Sequence, residues 1–157
     1  MSGRALETAM AVAGIALAGC ASPLERREDD LTTAEARWRS AGVQDYTFGF
    51  SRSCECLPAA TRPVMITVSA GAFVAAAYLD DGTAADTALF RDELTLDRLF
   101  ASLRRILAQR PAVFAASYEP TLGYPTRVSL DYNLTTADDE AFLTVFNVRP
   151  GRAAPHP

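Results

Sequence analysis

The chain contains no lysine; all 15 of its basic residues are arginine. That absence removes Schiff-base chemistry and the phosphate-binding lysine of nucleotide loops. Histidine is nearly absent too, since His156 is alone and lies beside the end of a Pro- and Ala-rich tail. A buried imidazole base and a His-based zinc site are therefore not expected. Positive charge is also short: the formal net charge is −4, which argues against a nucleic-acid surface built on clustered cations. There are three cysteines and one tryptophan. No apolar run approaches the roughly 20 residues a bilayer-spanning helix needs. What remains is 157 residues, 49% hydrophobic and 22% charged, enough for one domain with a real core.

The first twenty residues do not read as fold. Arg4 supplies a small positive region and Met10-Ala-Val-Ala-Gly-Ile-Ala-Leu17 an apolar stretch of signal-peptide length. Leu17-Ala-Gly-Cys20 then resembles the lipobox of bacterial lipoproteins, where the chain is cut before the cysteine and the thiol is diacylated. The expected organisation is a signal peptide over 1–19, a charged tether from lipidated Cys20 over 20–31, one domain over 32–149, and a loose tail over 150–157. Two acyl chains give stable membrane attachment where one is marginal.

Within the domain, Leu96, Leu99, Phe100, Leu103, Ile106 and Leu107 recur at helical spacing, with Thr95 as N-cap and Pro111 beyond the end. A shorter helix is expected from a cap at Thr32 or Thr33 through Arg39, with Trp38 as its apolar anchor and Gly42 as its stop. Strand-like alternation covers 45–52, where Tyr46, Phe48 and Phe50 share a face, and recurs over 64–68, 73–79, 113–118, 127–132 and 141–148. The fold class is α+β: a mostly antiparallel sheet of about six strands packed on one central helix, with a short N-terminal helix.

Two groups of residues could carry chemistry. Cys54 and Cys56 form an even pair once Cys20 is lipidated, in a compartment where disulfides persist. In a straight strand their Cα atoms would be about 6.6 Å apart, so a bridge needs a bend. The alternatives are a redox pair, with Arg52 favouring the thiolate, a Cu(I) site, or paired free thiols. The second group is Asp131, Asp138, Asp139 and Glu140, whose oxygens could hold Ca²⁺, although the register fails the EF-hand pattern at Thr136 and Phe142. Gly123-Tyr-Pro-Thr126 reads as turn chemistry.

Trp38, Tyr46-x-Phe48, Cys54-x-Cys56, Thr95-Leu-Asp-Arg-Leu-Phe100, Gly123-Tyr-Pro-Thr126, Asp131 and Asp138-Asp-Glu140 follow one another in an order that resembles a family of bacterial lipoproteins catalogued as DUF6174. The resemblance covers about residues 30–149. It implies a secreted or lipid-anchored domain with no assigned activity and no catalytic residues to transfer. Glu55 stands where an aromatic residue would be expected between the two cysteines.

These readings converge on a non-enzymatic domain anchored in the cell envelope, facing the periplasm or the exterior. Its partners would be the membrane, through Cys20, and a protein, peptide or envelope component. A thiol–disulfide or copper-handling protein and a calcium-dependent binding module are the rival readings. The state of the cysteine pair is measurable on residues 21–157 by intact mass. A bridged pair should resist alkylation and gain two adducts only after reduction; immediate double alkylation would contradict a bridge.

Overall fold

A computed structural model describes residues 22–136 and 138–151. The elements run α1 (Pro23–Ala41), β1 (Tyr46–Cys54), α2 (Pro58–Thr61), β2 (Val64–Ser69), β3 (Ala72–Tyr78), a 3-10 turn (Thr87–Phe90), α3 (Leu96–Ala108), β4 (Val113–Tyr118), β5 (Pro125–Asp131) and β6 (Glu140–Pro150). The six strands form one sheet in the order β3-β2-β1-β6-β5-β4, and every adjacent pair is antiparallel. The expected α+β class holds.

Period-two alternation sends Tyr46, Phe48 and Phe50 of β1 to one face, together with Val64, Ile66, Val128, Leu130, Leu143 and Val145 of neighbouring strands. Leu96, Leu99, Phe100, Leu103 and Leu107 of α3 cover them, and the helix begins as expected with Thr95 Oγ1 accepting from the Arg98 N–H. Tyr46 fixes where that helix starts. Its buried hydroxyl accepts from the Leu96 N–H at 3.0 Å, one of the first-turn donors that have no partner inside a helix. Burial raises the Tyr46 pKa to about 12, so the group stays a neutral phenol.

The tether expected over 20–31 is corrected by α1. The segment is helical from Pro23 onward, because Ser22-Pro-Leu-Glu25 makes a reciprocal capping box with proline in the first turn. The short helix expected from Thr32 or Thr33 is the second half of this longer one. It ends as expected at Gly42, whose φ of 63° is left-handed. Leu31, Ala34 and Trp38 face inward at helical spacing, and Trp38 meets Tyr46 and Tyr124 edge-on, at 5.2 and 6.4 Å between centroids. Gly123, with φ 86°, lets the β4–β5 turn approach α1 closely: a Cβ there would lie 2.2 Å from the Ala34 carbonyl oxygen.

Glu35 also points inward. Its carboxylate pairs with Arg104 of α3 and, at 2.7 Å, with Arg39. Two short elements complete the chain, α2 after the cysteine pair and the 3-10 turn before α3.

Replacing Tyr46 by Phe keeps the ring and removes the acceptor of the Leu96 N–H. The variant should be less stable by about 1–3 kcal/mol in urea titration, the cost of a buried donor left unpaired. An unchanged midpoint would show that the bond holds nothing.

Candidate functional site

Both helices that cover the sheet lie on one face, and the opposite face carries none among the described residues. By register its rows are Thr47, Gly49, Ser51 and Ser53 on β1; Phe142, Thr144 and Phe146 on β6; Arg127 and Ser129 on β5; and Ala115 and Ser117 on β4. Small residues make this face shallow. Gly49 is required here because the Phe146 ring lies over it, and a Cβ would sit 2.3 Å from that ring. Phe142 stands between Ser53 and Ser129 and is 53% exposed. A groove of about 310 Å³ runs past Phe142, Thr144, Ser129, Arg127, Ser117 and Ala115. Arg127 makes no ion pair among the described residues, and Arg149 lies opposite Thr47 on the same face, so an apolar ring, several hydroxyls and two cations share this surface.

At the end of β1 lies the Cys corner. Here β1 leaves the sheet, and the Cys56 N–H donates to the Cys54 carbonyl at 3.0 Å, closing a tight three-residue turn. That turn is the bend a vicinal-but-one pair needs. It brings the Cα atoms to 5.4 Å, inside the usual range for a disulfide, with the two Sγ atoms at bonding distance. Cys54 is half-buried, while Glu55 and Cys56 are exposed.

The two groups singled out in the sequence turn out to be neighbours. Cys54, Glu55, Asp138, Glu140 and Phe142 line one shallow depression of about 210 Å³, because Cys54 pairs with Ala141 at the start of β6. Asp131 and Asp139 do not line it. Asp131 accepts from the Asn133 N–H at 2.9 Å, an Asx turn opening the β5–β6 connection. Among the described residues no three His, Cys, Asp or Glu side chains gather as a metal site requires. Asp131, Asp138, Asp139 and Glu140 therefore do not gather into one group among the described residues.

A family model described as a family of unknown function (DUF6174) matches residues 30–150. The chain belongs to that family. No curated protein and no solved structure matches it. In this DUF6174 domain the matched region runs from within α1 to the end of β6, so it includes both the open face and the Cys corner.

Arg52 is held by Glu93. It does not stand free beside the thiols: its guanidinium donates to Glu93 Oε1 at 2.6 Å and to the Leu89 carbonyl at 3.4 Å, and lies 5.7 Å from the Phe50 ring centre. The charged side chains around the thiols are acidic instead, and acidic neighbours disfavour a thiolate. Sequence reading missed this pairing, although the signal was present. Period two from Tyr46 through Phe48 and Phe50 puts position 52 on the helix-covered face, where a cation requires a partner.

Burial pushes the Glu93 carboxyl above its usual range, and Arg52 partly offsets that shift. The native carboxyl therefore binds its proton more tightly than the unfolded one. Its contribution is fullest below the unfolded value of 4.5 and is lost as pH rises through the folded value. Arg52→Met removes the offset and should cost roughly 3–5 kcal/mol at about pH 7. The cost should be smaller near about pH 4, where the unpaired carboxyl can be protonated. Urea titrations at both pH values check this; equal losses would contradict the pairing.

Proposed function

We propose that the protein is a lipid-anchored domain of the bacterial cell envelope that binds a protein, peptide or envelope component through the uncovered face of its sheet. The observation that carries this reading is the one-sided cover. An α+β layer buries one face under α1 and α3 and leaves the other with Phe142 exposed beside Arg127, Ser129 and Thr144. Interaction surfaces combine such an aromatic anchor with a polar surround.

Anchoring is supported by the apolar stretch that ends in Leu17-Ala-Gly-Cys20, a segment outside the described residues. An oxidising compartment is supported by the Cys54–Cys56 geometry, because disulfides persist outside the cytosol. In this reading the pair is a structural staple that closes the turn at the end of β1.

Two variants of the full-length protein test the proposal in cells. Cys20→Ser should move the protein from the membrane fraction to the soluble fraction; unchanged membrane association would remove the anchor. A photoreactive residue in place of Phe142 should give a discrete crosslinked product, whereas one in place of Asp97 on the exposed side of α3 should not. Equal crosslinking at both positions would contradict binding through the sheet face.

A further inference from the structure

We propose that the end of the sheet carrying the α3–β4 and β5–β6 connections rests on the surface of the bilayer that holds the acyl chains of Cys20. This inference rests on the lipid-anchor reading and adds an orientation to it. Its starting point is the length of chain left between anchor and fold. Ser22 is already the cap of α1, locked by the reciprocal bonds with Glu25, so Ala21 alone separates it from Cys20. Two Cα steps span about 7 Å at most. An extended tether of the length expected from the sequence would have reached about 40 Å. The N-terminus of α1 is therefore held at the headgroups.

The position of that terminus follows from its neighbours. Glu28 and Leu31 share a cleft with Leu107 and Ala108 at the end of α3, which leads within a few residues to Val113 at the start of β4. Antiparallel pairing then defines one end of the sheet: Val113, Asp131, Glu140, Cys54, Val64 and Tyr78 lie along it.

The same end is where apolar side chains are left in solvent. Of the six large hydrophobic residues exposed among the described residues, Leu57, Leu79, Tyr132 and Leu134 sit in connections that leave or enter this end. Leu134 is the most exposed of all, at 74%. Val74 is near the opposite end, in β3. Side chains placed singly on loop tips at one end, within reach of a lipid anchor, have the arrangement of a shallow interfacial contact. Each contributes little, but a covalent anchor makes the contact intramolecular and multiplies its effect.

Charge selects the lipid. At this end Glu55, Asp131, Asp138, Asp139 and Glu140 outnumber Arg62 and Arg110, so it suits zwitterionic headgroups and is repelled by an anionic surface.

The full lipidated protein in phosphatidylcholine–phosphatidylethanolamine vesicles with brominated acyl chains provides the test. The added emission of Leu134→Trp should be blue-shifted and quenched, and that of Val74→Trp should match its value in vesicles without bromine. Adding phosphatidylglycerol should reduce the quenching of Leu134→Trp. If both added tryptophans remain unquenched while mass spectrometry shows Cys20 diacylated, the orientation is overturned and the anchor stands. Equal quenching of both also overturns it. If Cys20 carries no lipid, the anchor reading fails, and the orientation with it.

Discussion

The structure depends on one buried phenol. Tyr46 opens the central strand β1, its ring packs at right angles to Trp38 of α1, and its hydroxyl accepts the first free N–H of α3. Each of the three elements would otherwise bury an apolar surface without a fixed position. Trp38 and the α3 stripe are greasy and non-directional, and burial alone tolerates sliding. A hydrogen bond in a water-free interior does not, because a displaced Leu96 N–H would be left unpaired at a cost comparable to a large share of marginal stability.

With both helices tied to β1, the sheet is covered on one side only. The polar connections between the helices follow the same geometry. Glu35 reaches Arg104 across the α1–α3 contact, and Glu93, just before α3, reaches Arg52 on β1. Two inward carboxylates therefore each meet an arginine from another element, which accommodates charge at the margins of the core. On the other side Gly49 and Phe146 fit ring against backbone, and the surface beyond them is flat, hydroxyl-rich and marked by one exposed aromatic residue. The fold leaves an available surface more plainly than it builds a cavity.

Much of this was legible in the sequence, where a single element carries its own periodicity. The α3 stripe, the alternation of Tyr46, Phe48 and Phe50, and the glycines at 42 and 123 each follow from local rules. The beginning of α1 was missed because its first half is charged on nearly every side, and only Leu24 and Leu31 mark the buried stripe among its first nine residues. Ser22-x-x-Glu25 was the available signal. Strand order, the Glu35–Arg104 and Arg52–Glu93 pairs, and the meeting of Cys54 with Asp138 and Glu140 were not legible. All of them join residues far apart in the chain, and no local pattern encodes which distant segment a strand will pair with.

A sheet face that binds a partner is occupied where the protein works. Hydroxyl-radical footprinting of intact cells against the purified domain measures this most directly, read at Phe142 on that face and at Leu89 and Ile106 on the helix side. Protection of Phe142 in cells, with Leu89 and Ile106 modified equally in both samples, is the predicted result. Equal modification of Phe142 in both samples would contradict it.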